Sequence, residues 1–268
     1  MDFVFGFIGA GNMATAIIKG LVGNRIVDSY KICVCDLDSS KTDSLATQIG
    51  VNVLPSVQEI AENSKIIVLA VKPQNYGEVL EQVKEKISMD KVVVSIAAGI
   101  SIDYIRNQLG INCPVVRVMP NTPLLLGKGA TALCPSENVT AGDFAVVRSM
   151  FALGGTAEIV EEKHMNSIIA VNGSSPAYIY MFAKAVVEYA KSQGIDENTA
   201  LKLFCATLEG SAAMLLNSGD DPDTLIGKVC SKGGTTIEAV NKLNENKFCE
   251  TIIEAMNACT TRAEELGK

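Results

Sequence analysis

Basic surface is the first thing this sequence lacks. Its 23 lysines and arginines are outnumbered by 30 aspartates and glutamates, leaving a net charge of −7 over 268 residues. Nucleic-acid binding relies on clustered positive charge that displaces counterions from phosphates, so this balance argues against DNA or RNA as a partner. Histidine is scarcer still. His164 stands alone, which excludes a metal site built on a histidine pair, and a catalytic triad through it would need partners the sequence does not offer. The eight cysteines, among them Cys33, Cys35, Cys113, Cys205 and Cys230, show no Cys-x-x-Cys or other metal spacing and lie mostly in apolar surroundings. They read as buried free thiols in a reducing compartment, with no metal expected. No stretch approaches the roughly 18 unbroken apolar residues of a membrane helix. The opening Met1-Asp2-Phe3-Val4-Phe5-Gly6-Phe7 lacks the positive start of a signal peptide. A soluble, cytoplasmic protein of one large or two ordinary domains is expected.

What is present is a change of pattern along the chain. From Met1 to about Glu161, short apolar β-branched runs alternate with amphipathic stretches, the signature of a parallel sheet covered by helices. Strands are expected at Val4 to Ile8, Lys31 to Cys35, Val51 to Leu54, Lys65 to Val71, Lys91 to Ile96, Val115 to Met119, Ala130 to Leu133 and Thr156 to Val160. Helices fill the gaps. From Glu162 to Lys268 the strand runs stop and long helical stretches take over, with Pro176 opening one helix and Asp196-Glu197 another. Both helices are apolar on more than one face, more surface than a lone small helical domain hides, so a tight homodimer is expected. The fold class is therefore α/β over residues 1–161, followed by an all-α domain over 162–268 that dimerises.

Gly9-Ala10-Gly11-Asn12-Met13-Ala14 follows the first strand and opens the first helix, as a dinucleotide fingerprint of the Rossmann fold requires. Gly9 permits the turn, Gly11 lets backbone approach a pyrophosphate, and Ala14 allows helix to pack close on sheet. Asp36, ending the second strand, suits both hydroxyls of an adenosine ribose and favours NADH over NADPH. Ser39, Ser40 and Lys41 partly offset that preference. Two further loops, Ala70-Val71-Lys72-Pro73 and Ser95-Ile96-Ala97-Ala98-Gly99, leave strands on the same edge. Ala97 and Ala98 are small enough for a nicotinamide ring to lie against, and Lys72 is long enough to reach ribose or phosphate. Arg117-Val118-Met119-Pro120-Asn121-Thr122-Pro123 supplies a rigid loop to close the floor.

In the helical half, Ser231-Lys232-Gly233-Gly234-Thr235-Thr236-Ile237-Glu238 runs a double glycine into a helix start. Thr235 and Glu238 have capping-box spacing, and the first-turn N–H groups suit an anion.

Taken together, these segments and Asn172-Gly173-Ser174-Ser175-Pro176-Ala177-Tyr178 resemble, in order and spacing over the whole chain, the pyrroline-5-carboxylate reductase family. The resemblance implies a Rossmann domain, a helical domain interleaving with its twofold mate, an active site shared between them, and in some members rings of dimers. It further implies that Ser231, Gly233, Gly234 and Thr235 hold the carboxylate of a cyclic imino acid, that Thr236 lies beside the ring nitrogen, and that Glu162 lies near substrate. Gly9, Ala10, Gly11, Asn12, Met13, Asp36, Ala70, Val71, Lys72, Pro73, Ala97 and Ala98 would contact the cofactor, NADH or NADPH. Four positions depart from the family pattern: Lys232 replaces proline, Asn172 serine, Asp36 a small polar residue and Val57 an asparagine. The rival readings are a reductase of another cyclic imino acid or of a hydroxyacid, for which Lys184 lies outside the expected motif, and a non-catalytic NAD(P)H sensor.

Overall fold

The computed structural model describes residues 2–267, so the outer domain bounds expected at Met1 and Lys268 lie outside the described residues. By packing, the chain divides into two compact units, one running up to Pro176 and resuming at Asn257, the other Ala177–Met256. The division expected at 161/162 marks a change of local pattern, whereas these units are set by tertiary contacts.

In the first unit eight strands form one sheet, all at or within two residues of their expected places: β1 (Phe3–Ile8), β2 (Ile32–Cys35), β3 (Asn52–Val53), β4 (Ser64–Leu69), β5 (Val92–Ser95), β6 (Val115–Met119), β7 (Gly129–Pro135) and β8 (Gly155–Ile159). Their order is β3-β2-β1-β4-β5-β6-β7-β8. The first six are parallel and follow the 3-2-1-4-5-6 winding of dinucleotide-binding sheets, which reverses direction between β1 and β4. One correction is needed to the expected parallel sheet: β7 runs antiparallel to β6. Only the short turn of 3₁₀ helix Thr122–Leu126 joins them, too little chain for the crossover that a parallel neighbour requires. β8 then pairs parallel to β7.

Six helices complete the sandwich: α1 (Asn12–Gly23), α2 (Ser39–Ile49), α3 (Val57–Asn63), α4 (Tyr76–Val83), α5 (Ile102–Leu109) and α6 (Ala141–Ala152). Strand residues alternate between two cores. Phe5, Phe7, Ile66 and Val68 face α1 and α6, while Ile8, Ile67 and Leu69 face α3, α4 and α5, the period-two pattern of a strand covered on both sides. Caps fix the helix starts: Ser56, Ser101 and Thr140 accept first-turn N–H groups of α3, α5 and α6.

The short α7 (Met165–Ile168) runs into a π-helical segment, Ile169–Gly173, and then α8 (Ser175–Ser192). The second unit continues with α9 (Glu197–Asn217), α10 (Pro222–Val229), α11 (Thr235–Glu245) and the first turns of α12 (Phe248–Leu266). Asp196 and Asp221 cap α9 and α10. Phe182 and Phe204 meet edge to face, centroids 5.1 Å apart, but Tyr180, Met181, Leu203 and Leu216 stand exposed. α9 has a window of mean hydropathy 1.3, enough by length and composition to cross a membrane, although Lys202 and Glu209 interrupt it.

Candidate active site

Strand register brings the motif loops of the first unit to one edge. Ile8 pairs with both Cys35 and Leu69, Leu69 with Ser95, and Ser95 with Arg117, so the segments after β1, β2, β4, β5 and β6 emerge side by side at the winding reversal. That is where open α/β sheets bind ligands. The buried Tyr76 pins two of these strand ends, donating to the Leu69 carbonyl at 2.8 Å and lying 3.0 Å from Ser95 Oγ. Burial drives its phenol far above the ordinary value, so it serves as a fixed neutral strut.

The glycine-rich turn is shaped as the fingerprint demands. Gly9 has φ +104°, and a Cβ there would sit 2.7 Å from the Ala70 carbonyl oxygen, so no other residue fits without moving backbone. Gly11 N-caps α1 with no side-chain hydrogen bond, and a Cβ built on it meets nothing within 4 Å. Open space over an uncapped helix start fits a pyrophosphate held by backbone N–H groups, those of Asn12 and Met13 among them.

Asp36 does something the sequence did not reveal. Its Oδ2 accepts the Ala10 N–H at 2.7 Å and its Oδ1 accepts the Asp38 N–H at 2.9 Å. The carboxylate therefore braces the glycine-rich turn from the end of the neighbouring strand, and the Ala10 N–H is committed to it. Lys41 approaches Asp36 at 3.7 Å and Asp38 at 3.5 Å, placing a cation beside the acidic pair. Val57, at the first turn of α3, is half-buried against the core beneath.

Ala70, Val71, Lys72 and Pro73 follow β4, Lys72 exposed and Pro73 opening a turn of 3₁₀ helix. Ala97 is buried and Ala98 half-buried after β5. Beyond β6, two amides stitch the floor. Asn121 donates to the Asn172 carbonyl at 3.1 Å and accepts from Ala130 N–H at 2.9 Å. Asn172 in turn donates to the carbonyls of Met119 and Ala130, both at 2.8 Å. Two carbonyls around one nitrogen fix the orientation of the Asn172 amide, and its Oδ1 is left buried without a partner. A serine, the residue the family pattern has there, is too short and has too few donors for this double clamp.

Glu162 also lies in this unit. Its Oε1 accepts the Ile102 N–H at the start of α5 at 2.7 Å and stands 3.7 Å from the Arg117 guanidinium. Burial lowers the Arg117 pKa and Glu162 counteracts that shift; Arg117 also donates to Asn166. The carboxylate thus clasps a helix start to a buried cation. The same burial pushes the neighbouring Cys134 thiol up to about 11, leaving it inert.

In the second unit, Gly234 N–H bonds the Ser231 carbonyl at 3.0 Å, and within that turn φ is positive only at Gly233, +74°. This is a type II turn with Lys232 at its second position, where proline is favoured. The capping box expected from Thr235 and Glu238 does not form: Gly234 is the N-cap and no side chain caps α11. Helical geometry begins one residue earlier than capping-box spacing assumes, which places Thr235 and Thr236 in the first turn. The consequence favours anion binding, since no side chain competes for the free first-turn N–H groups. Ser231 Oγ occupies the space a Gly234 Cβ would need, 2.4 Å away.

A family model described as pyrroline-5-carboxylate reductase dimerisation matches residues 162–266, and one described as NADP oxidoreductase, coenzyme F420-dependent, matches residues 4–99. The chain is 40% identical to the pyrroline-5-carboxylate reductase of Escherichia coli (strain K12) over 268 residues, covering 100% of both. Among solved structures, Plasmodium falciparum pyrroline carboxylate reductase with NADP bound is similar at a TM-score of 0.91 and 28% identity, covering 100% of this chain and 99% of that one. The corresponding values for the Coxiella burnetii pyrroline-5-carboxylate reductase are 0.89 and 34%, with 100% of both chains covered.

Proposed function

Because the chain belongs to the pyrroline-5-carboxylate reductase family, we propose that it reduces 1-pyrroline-5-carboxylate to L-proline, the last step of proline biosynthesis, with a nicotinamide dinucleotide as reductant. The observation that carries this reading is kinship over the full length of both chains. Geometry supplies the parts: an open, uncapped helix start at the winding reversal of the first unit, and an uncapped, glycine-entered helix start in the second.

A bound reduced nicotinamide supplies the hydride. The residues fit such a cofactor: Gly11, Asn12 and Met13 present backbone to the pyrophosphate, Asp36 receives the ribose, and Ala97 and Ala98 leave room for the ring. Asp36 also inclines the choice to NADH, since a 2′-phosphate would meet its carboxylate. On the substrate side, the first-turn N–H groups of Thr235 and Thr236 hold the carboxylate, Gly233 and Gly234 leave its approach clear of side chains, and Ser231 shapes the turn. The Thr236 hydroxyl steers the ring nitrogen. An imine that enters protonated requires no strong acid from the protein, only orientation of its carbon toward the hydride, so the lone histidine is no handicap.

The second unit's exposed apolar helices are covered by a second copy, making a homodimer from which rings can be built. Membrane insertion of α9 is the competing way to cover them, and Lys202 and Glu209 oppose it. The enzyme works in the cytoplasm.

Oxidation of NADH in the presence of pyrroline-5-carboxylate, repeated with NADPH and with the six-membered cyclic imine, tests the assignment. Turnover with the five-membered imine is expected, faster with NADH. Tight nucleotide binding without turnover of any imine would instead mark a sensor. Thr236→Ala is expected to cut turnover while nucleotide affinity is kept; unchanged kinetics would remove Thr236 from the mechanism.

A further inference from the structure

The loop after β5 is built almost without side chains, since Ala97, Ala98 and Gly99 follow one another. Such a segment has little with which to hold itself in place. Its inner start is tied by Ile96 N–H to the Leu69 carbonyl at 3.4 Å, and the preceding Ser95 is held at its Oγ by the Tyr76 hydroxyl, 3.0 Å away. Its outer side rests on the last turns of α12, which belong to the same compact unit.

The contact is backbone on backbone. Gly99 has φ +84°, and a Cβ there would fall 2.4 Å from the Ala263 carbonyl oxygen and 3.0 Å from Leu266 Cβ. Reciprocally, a Cβ on Gly267 would fall 2.3 Å from the Gly99 carbonyl oxygen. Ala263 is buried at the same place. One turn earlier, Cys259 Sγ lies 3.2 Å from Ser174 Oγ, just beyond the π-helical segment that carries Asn172. Two glycines facing each other at this separation leave no side chain to act as a cushion, so a shift of the helix end is passed directly to the loop.

We propose that the last turn of α12, through Ala263 and Leu266, together with Gly267 directly after it, is a backstop that positions the Ala97–Gly99 loop against the nicotinamide end of the cofactor. The idea rests on the assignment of that loop to the nicotinamide. It separates the two ends of the dinucleotide: the adenosine and pyrophosphate end depends on Gly9 to Met13 and Asp36, which α12 does not brace, and the nicotinamide end depends on α12.

Gly267→Val, which drives a branched side chain into the Gly99 carbonyl, and Ala263→Leu, which overfills a buried position, are tested in the full-length chain. NADH is compared with ADP-ribose, which lacks the nicotinamide. The expected result for either variant is an NADH dissociation constant raised at least tenfold and a lowered kcat, with ADP-ribose affinity within twofold of the parent and KM for the imine unchanged. Equal losses for NADH and ADP-ribose, or no change in either, would overturn the backstop. If one variant fails to fold, the other decides. Ala98→Leu tests the underlying assignment on its own, and parental NADH affinity in that variant would remove the loop from the nicotinamide site and the backstop with it.

Discussion

The two units of this chain spend their apolar residues in opposite ways. In the first, Phe5, Phe7, Ile67, Leu69 and their neighbours vanish into two cores, one on each face of the sheet. In the second, Met181 is 71% exposed and Leu216 83%, although the helices that carry them are no more polar than α4 and α5, whose apolar residues are buried. A sheet wound with helices on both sides closes its own core; a layer of helices with apolar residues facing out is half of one. The first unit is thus complete in one copy, and the second acquires its core by association.

The sharpest way to break this comparison is to place a charge in each kind of surface. Leu203→Asp, on an exposed face of α9, leaves the isolated subunit folded but buries an unpaired carboxylate once a second copy covers it, raising the dimer dissociation constant about 1000-fold, or about 4 kcal/mol. Sedimentation velocity over a dilution series should show monomer. Val93→Asp, at a position buried inside the sheet, should prevent folding outright, and a folded, dimeric Leu203→Asp protein would refute the contrast.

A smaller effect distinguishes the two helix starts. Gly9→Ala forces a Cβ against the Ala70 carbonyl at a positive φ, and should weaken dinucleotide binding about 100-fold, near 3 kcal/mol. Gly234→Ala meets the movable Ser231 hydroxyl and, less closely, the Ser231 carbonyl oxygen at 3.1 Å, so KM for the imine should rise while dinucleotide affinity holds. Titration of each variant with NADH and with imine separates the outcomes.

The glycine-rich turn was legible because its chemistry is local: Gly9, Gly11 and Ala14 must stand at fixed offsets after a strand and before a helix. The eight strands were legible for a similar reason, each being a short β-branched run between turn residues. What the sequence could not show depends on residues distant along the chain. The β7 reversal follows from the shortness of a connection. The Asp36 brace on Ala10, the Asn121–Asn172 stitch, the Glu162 clasp and the Gly99–Gly267 contact join residues dozens of positions apart, and no periodicity encodes such pairs. The Thr235 capping box failed through a shift of one residue in helix register, an error to which spacing rules are prone.

Two substitutions in the first unit sharpen what its carboxylates do. Asp36→Asn keeps an oxygen for the Ala10 N–H while removing the charge, so the preference for NADPH over NADH should rise about tenfold, near 1.4 kcal/mol. Asp36→Ser removes charge and brace together, and should lower kcat/KM with both cofactors. A serine variant as active as the asparagine one would show the brace to be idle. Glu162→Ala strands the buried Arg117. Because Glu162 is about one-third exposed, the loss should fall near 2–3 kcal/mol, below that of a fully buried pair, and appear as a lowered Tm with KM values little changed. A rise confined to KM for the imine would instead return Glu162 to the substrate site.

The smallest expected difference between the units is acid sensitivity, and it comes from their caps. In the first unit α3, α5 and α6 are capped by hydroxyls, which do not titrate in this range, and Asp38 of α2 is the exception. In the second, α9 and α10 are capped by Asp196 and Asp221, each held below the ordinary carboxylate value by first-turn N–H groups, those of Thr199 and Thr224. A depressed carboxylate contributes stability above its unfolded value, about 3.9, and loses it as pH falls through the lower folded value. Protonation should therefore loosen α9 and α10 below about pH 4, before the hydroxyl-capped helices respond. Amide exchange measured between pH 5 and 3 should show first-turn protection falling in α9 and α10 while α5 and α6 hold. Asp196→Ser with Asp221→Ser retains caps that do not titrate and should flatten this pH dependence; exchange that still falls in the double variant would place the acid-sensitive group elsewhere in the second unit.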